Sequence, residues 1–264
     1  ASNRRQWDVF DLEDVAEVSA SFLAIPSLLE SENLRVFRYH GIVCPRVPLP
    51  ASEEELMTNI GPTSSQNLKR RQRRLKAHFR SGVRLLRRPE DPIEEAIRDF
   101  STIHGERWKS QGHPSAFADP HHRSFHTEVC RRLVERDWLR IFFLDIEDQP
   151  VAVNFSFNFR STIYMYQSNA HASAEMMKCS PGLIIRSIAM NEGIAEGMKV
   201  FDFMRGNESY KYREWAAVDV KNWLIRASSG TRGGSLRFIL FLSAELMQKA
   251  RHRFRREYYD YRRY

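Results

Sequence analysis

At 264 residues, 42% hydrophobic and 12% aromatic, the chain has the material for one large core or two small ones, which excludes a disordered or fibrous protein. No run of eighteen apolar residues occurs, and the N-terminus has neither the charged-then-apolar order nor the cleavage pattern of a signal peptide, so a soluble, intracellular protein is expected. The net charge of +8 gathers in residues 69–76 and 251–263, two basic helices that suit nucleic acid, an anionic membrane surface, a polyanionic substrate or plain solvation.

In chain order, residues 7–12 read as a strand, followed by a helix through Phe22, Leu23, Leu28 and Leu29 around Pro26, and by a strand over 34–43 with Leu34 and Val36 on alternate positions. Residues 44–50 carry Pro45, Pro48 and Pro50. Each proline removes a backbone donor, so this segment is expected to be a boundary and not the inside of a sheet. Ser52 with Glu55 three residues on forms a capping box for a helix to Ile60, which Gly61-Pro62 ends. Ser64 or Ser65 caps the basic helix, which runs to Phe79. A short strand over 83–86 follows, and Asp91-Pro92 opens a long helix with Ile93, Ile97, Phe100, Ile103 and Trp108 at helical spacing. His104 lies beside that stripe and is either a packing or a catalytic residue. His113, His121, His122 and His126 have no partner acid nearby, and Cys44, Cys130 and Cys179 stand far apart with no CxxC pair, so neither a metal site nor a disulfide framework is expected. Cys179, beside a glycine turn, is either a nucleophile or a small buried filler.

Residues 139–144, 150–157 and 162–166 form three strands joined by short turns, the pattern of an antiparallel meander. Ser180-Pro181-Gly182 then leads into a helix to Gly197, which delivers the chain to a strand over 200–204. A crossover helix of this kind returns the chain parallel to the sheet. A meander joined to a parallel pair splays where the two meet, and an extended ligand can lie in the split with its phosphates on the helix N-terminus.

Residues 201–215 concentrate acids, cations and aromatics just after the strand, where α/β sheets commonly bind ligands; the plainer alternative is a solvated charged turn. Asp202 is either a general base or an anchor for Arg205. Tyr164 and Tyr166 share a face of their strand, with one lining a channel and one in the core. A last strand over 218–226 precedes a long helix from Ser235 that carries Phe254, Tyr258, Tyr259, Tyr261 and Tyr264 among arginines.

Five segments in this order, Cys44 to Pro50, Ile103 to Trp108 with Gly112, Gln149 to Ala152, Ser180 to Leu183, and Phe201-Asp202-Phe203 with Arg205-Gly206 and Tyr210-Lys211, resemble the GNAT-fold acyltransferase-like family of the CelD/BcsL type, which is similar to the FemABX aminoacyltransferases. The resemblance implies an α/β protein with a GNAT (acyl-CoA N-acyltransferase) fold, a mixed splayed sheet with flanking helices. It places the tail of a first, tandem GNAT-like domain at 1–60, the acyltransferase domain at 61–232, and at 233–264 a basic helix packing back on the first domain.

The implied function is N-acyl transfer from acyl-CoA or acetyl-CoA, without a metal, to an amine or sugar-linked acceptor of a cell-envelope, exopolysaccharide or lipid precursor. By that likeness Lys211, Asp202, Tyr210 and Tyr166 are the catalytic candidates, with Lys211 at the developing charge. Ser180, Pro181, Gly182 and Leu183 match the coenzyme position, and Arg205, Arg213, Trp215, Trp108 and His104 the substrate side. The implied location is the cytoplasm, with the inner membrane surface reached through the C-terminal helix. An aminoacyl-tRNA-dependent transferase, with the helix at 69–76 holding RNA phosphates, and a catalytically idle GNAT scaffold stay open beside it.

Overall fold

Strand β1 (Val9–Ala16), helix α1 (Ala20–Ser31) and strand β2 (Arg35–His40) belong to one of two compact units, which also takes in the residues from Val220 on; Cys44–Asp219 form the other. The computed structural model describes residues 6–244 and Met247. In the smaller unit β10 (Asn222–Ser228) runs antiparallel between β1 and β2. Phe22 of α1 packs on Trp223 of β10 at 5.1 Å. A closing helix, α9 (residues 232–244), sets Phe238 against Phe37 at 4.9 Å. Residues 248–264, with the tyrosines and most of the arginines assigned to a membrane surface, lie outside the described residues.

The larger unit runs β3 (Cys44–Pro48), α2 (Glu53–Asn59), α3 (Pro62–His78), β4 (Ser81–Leu86), α4 (Ile93–Ser110), a 3-10 turn (Ala116–Ala118), α5 (Pro120–Val134), β5 (Leu139–Ile146), β6 (Gln149–Phe159) and β7 (Thr162–Ala170). It continues with α6 (Ala174–Met177), α7 (Pro181–Ala195), β8 (Val200–Asp202), α8 (Ser209–Trp215) and β9 (Val218–Val220). Seven strands form one mixed sheet in the order β4-β5-β6-β7-β8-β3-β9. β5 is buried on both faces, so it reads as a nearly unbroken apolar run. Its Leu139, Ile141 and Phe143 join the cluster built on Phe100, Phe117 and Cys130 of the α4–α5 side. The alternating Phe142, Leu144 and Ile146 join the other, which holds Leu68, Ile185 and Trp215. Gly193 lets α7 sit close on the sheet, since a Cβ there would lie 2.2 Å from Ile163 Cδ1.

Four local expectations are corrected. The proline-bearing segment is β3 and lies inside the sheet, between β8 and β9. Prolines cost it donors but not acceptors: the Pro45 carbonyl accepts from the Phe203 amide at 2.9 Å, and Leu49 donates to the Lys199 carbonyl at 2.8 Å. The basic helix starts at Pro62, with Gly61 as its N-cap, because proline suits the first helical position. The strand at 218–226 is two strands parted at Lys221, one in each sheet. Residues 209–215, expected as part of a turn, are helical.

β7 and β8 pair in parallel over three positions only, Thr162 with Val200, Ile163 with Phe201 and Tyr164 with Asp202. β7 then continues for six residues past the end of that pairing, which opens the sheet at its middle.

Candidate active site

The opening between β7 and β8 is a cleft of about 750 Å³, walled by the far half of β7, the end of α4, the first turns of α7 and the segment from Phe203 to Lys211. A β-bulge shapes it. Phe155 pairs with Gln167 and Ser156 with Met165, so Tyr166 is the extra residue. A bulge of this kind re-aims a side chain, which here turns Tyr166 toward α5.

Tyr166 donates its hydroxyl hydrogen to His126 Nε2 at 2.9 Å. His126 Nδ1 lies 2.8 Å from the His122 carbonyl, which can only accept, so the hydrogen of the neutral ring is on Nδ1 and Nε2 is the acceptor. Burial holds the His126 pKa below its ordinary value and pushes that of Tyr166 up. His104 is buried and does not line the cleft, with Nδ1 2.7 Å from Ser115 Oγ and its ring stacked on Trp108 at 5.6 Å. Burial, with Arg107 and His122 nearby, lowers its pKa to about 4, so its ring is neutral near pH 7.

Five of the residues singled out from sequence line the cleft: Trp108, Tyr166, Arg205, Tyr210 and Lys211. Lys211 is 1% exposed. Its ammonium meets the carbonyls of Phe203 (3.4 Å), Arg205 (3.2 Å) and Gly206 (3.0 Å) and the Glu208 carboxylate (2.8 Å). It thereby gathers the turn that forms one wall of the cleft. That turn needs glycine, because Gly206 has φ 114° and a Cβ there would lie 2.6 Å from Glu208 Oε2. Tyr210 lies under the Arg186 guanidinium, 4.4 Å from its ring centre, and burial raises its pKa.

Other candidates fall elsewhere. Asp202 is buried, and its carboxylate accepts from Arg46 Nε at 2.7 Å and from the Met204 amide at 2.7 Å. Arg46 of β3 is thus an arginine partner of Asp202, and nothing in the local sequence signals that pairing. Trp215 is in the core, 1% exposed. Leu183 and Arg213 line a separate groove of about 530 Å³ with Arg70 and Asn67 of α3. Ser180 adopts a left-handed conformation (φ 54°) and Pro181 is buried. Gly182 approaches the cleft indirectly, since a Cβ built on it would be 3.5 Å from Arg186 Nη1.

Backbone donors at the start of α7 are largely used up. The amides of Lys178, Cys179 and Ser180 bond to the carbonyls of the preceding turn, and those of Leu183 and Ile184 to the Ser180 carbonyl. Pro181 has no N–H, which leaves Gly182 as the free amide in that stretch among the described residues. The cradle of backbone N–H groups that a pyrophosphate requires is thus absent. Among the described residues no group of three or more His, Cys, Asp or Glu side chains is placed to hold a metal ion, and no helix is long and apolar enough to cross a membrane.

Sequence reasoning missed Arg107, His126, Asn169 and Arg186. Arg186 had a readable signal, being the one cation in the apolar sequence of α7. His126 had none, because its partner lies forty residues away in sequence.

Comparison with known proteins agrees with this architecture. The family model described as an acetyltransferase (GNAT) domain matches residues 63–212, more than half of the chain. The crystal structure of FemX superposes with a TM-score of 0.61 at 9% identity, covering 83% of this chain and 71% of that one. The structure of L-PGS from Bacillus licheniformis gives 0.59 at 12% identity, with 91% and 73% covered. A conserved protein of unknown function from Bacteroides thetaiotaomicron gives 0.58 at 12%, with 86% and 72% covered. At these identities the likeness is one of fold. No curated protein matches the sequence.

Proposed function

The chain belongs to the acetyltransferase (GNAT) domain family, and on that premise we propose that it is an N-acyltransferase moving a carrier-bound acyl group onto an amine in the cleft beside β7. The observation that carries this reading is the parting of β7 from β8 after three paired residues. It frees a strand edge whose main-chain groups can hold an extended acyl donor, next to a hollow large enough for the acceptor. A cell-envelope, exopolysaccharide or lipid precursor is the proposed source of the amine, in keeping with the resemblance to the CelD/BcsL type.

Attack on an acyl carbonyl requires the amine to lose a proton as the new C–N bond forms. Tyr166 and His126 supply a route. The amine proton passes to the Tyr166 oxygen while the Tyr166 proton passes to His126 Nε2, and the imidazolium so formed keeps its Nδ1 hydrogen on the His122 carbonyl. The bond from carbonyl to carrier breaks, and the proton returns by the same path to the departing carrier atom. Lys211 holds the opposing wall in place by tying down the 203–208 turn.

Acyl-CoA is the donor first expected, but the start of α7 does not fit its pyrophosphate. The same observation favours a second donor, an aminoacyl ester on tRNA. The exposed cations Lys69, Arg70, Arg73, Arg74 and Lys76 of α3 suit a phosphate backbone.

Melting curves with acetyl-CoA, a long-chain acyl-CoA and an aminoacyl-tRNA test the reading. A donor that binds only the native state raises the midpoint, by about 2.7 kcal/mol of stability at a hundred times its Kd. Tyr166→Phe is expected to keep that shift while transfer falls by about 10²–10⁴-fold. No shift with any of the three would overturn the transferase assignment.

A further inference from the structure

Among the cations that line the cleft, Lys211 takes the one lining carboxylate, Glu208, at 2.8 Å, and Arg107 and Arg186 have no share in it. Arg107 makes no ion pair among the described residues; its Nη1 donates to the Ser168 carbonyl at 2.9 Å and to Asn169 Oδ1 at 3.1 Å. Arg186 has one carboxylate, Glu214, at 3.3 Å from Nη2.

A second, independent observation is a set of hydrogen-bond donors with no acceptor. Arg186 Nε, Asn169 Nδ2 and Ser168 Oγ are all cut off from water and from any protein partner, and all three belong to cleft-lining residues. Because Arg107 donates to Asn169 Oδ1, the orphaned end of that amide is fixed as the NH₂ group. Asn169 is 3% exposed. A buried donor without a partner carries a desolvation cost that a satisfied one does not, and an acceptor seated in the cleft beside these side chains would offset it.

We propose that Arg107 and Arg186, with Asn169 between the elements that carry them, seat an oxyanion, so that the amine acceptor of this enzyme bears a phosphate or carboxylate at the end away from its nitrogen. This rests on the transferase reading for the role of the amine and deepens it by naming the acceptor's class. A planar guanidinium presents paired N–H groups that match both oxyanions. The anion holds the acceptor at one end, which leaves the amine free to reach Tyr166.

Isothermal titration at fixed ionic strength with ethanolamine, phosphoethanolamine and β-alanine tests the seat, since the three share an amine and differ at the other end. At least one of the two anionic amines is expected to bind about tenfold more tightly than ethanolamine, as a charge-assisted hydrogen-bonded pair would give. Whichever of the two is preferred tells phosphate from carboxylate. In Arg107→Gln, whose side chain is only partly buried, the preference is expected to disappear. Arg186→Gln is expected to give the same result if it folds. Equal binding of all three amines, no detectable binding of any, or an undiminished preference in Arg107→Gln would overturn the proposal. The donor melting test reads the transferase assignment separately. A protein that takes a donor but treats the three amines alike loses the anion seat alone, and one that prefers anionic amines but takes no donor loses the transferase reading alone.

Discussion

Two arginine-rich regions of the larger unit, one at each end of α7, differ in how their charges are met. At the C-terminal end, Glu196 accepts from Arg87 at 3.0 Å, Arg140 at 2.9 Å and Asn158 at 2.8 Å, while Glu192 takes a second contact from Arg87 at 3.1 Å. Each cation there has a carboxylate. At the N-terminal end, Arg107 meets neutral oxygens, Arg186 meets one carboxylate at 3.3 Å, and three donors are orphaned, against one acceptor, Asn158 Oδ1, at the other end. The first arrangement is what a fold needs to bury charge without leaving it unpaired. The second gives up that satisfaction, a cost found where a ligand completes the set.

Breaking the satisfied end is expected to have the largest effect. Glu196→Ala removes the carboxylate shared by three donors, and Arg140, only 6% exposed along its side chain, loses a main partner. Removing one member of a buried pair costs about 3–5 kcal/mol. The low end, about 3 kcal/mol, is expected, because Asp137 still meets Arg140 at 2.8 Å. Urea unfolding midpoints would show it; a loss below about 1 kcal/mol would mean that this network is no more structural than the cleft.

How much of this contrast could be read from sequence differs by element. The meander was legible because β5 is apolar on both faces and its turns are short. Ser52 caps α2 through the Glu55 amide at 3.2 Å, as the spacing of those two residues requires. The opening of the sheet followed from the order of a meander and a crossover, and the three-residue pairing of β7 with β8 is its structural form. What hid the rest was non-local. The prolines make β3 look unfit for a sheet because each is a lost donor, whereas the Pro45 carbonyl and the Leu49 amide still tie the segment to its neighbour. α8 has only seven residues, too few to display a helical period among its charges. The Tyr166 bulge depends on register with β6, and its histidine comes from α5, so neither leaves a mark on the local sequence. The arginines of the cleft resemble any others on a helix until their partners are counted.

An intermediate effect is expected from acid. His104 is neutral in the fold because burial first, then Arg107 and His122, hold its pKa at about 4, below the ordinary imidazole value of 6.5. Between those values the unfolded chain takes up a proton that the folded one refuses, so stability is complete above pH 6.5 and falls as pH drops toward 4. His126, depressed mainly by burial and also facing His122, adds in the same direction. His104→Asn is expected to flatten the decline in unfolding free energy between pH 6.5 and 4. A decline of unchanged steepness would place its origin in other groups.

The smallest effect on stability is expected at the unsatisfied end, and there the comparison is sharpest. Arg107→Gln disturbs the hydrogen bonds to the Ser168 carbonyl and to Asn169, worth about 0.5–1.5 kcal/mol each in net terms. It also removes a positive charge near Arg186, whose pKa is held below its ordinary value by burial first and by Arg107 last. The unfolding free energy is expected to fall by about 1–2 kcal/mol, since the amide of Gln can keep one of the two bonds. A residue whose removal leaves the fold intact while erasing a preference for anionic amines is held there for what it binds. A loss of 3 kcal/mol or more, matching Glu196→Ala, would make Arg107 a packing residue, and the two ends of α7 would then differ in composition alone.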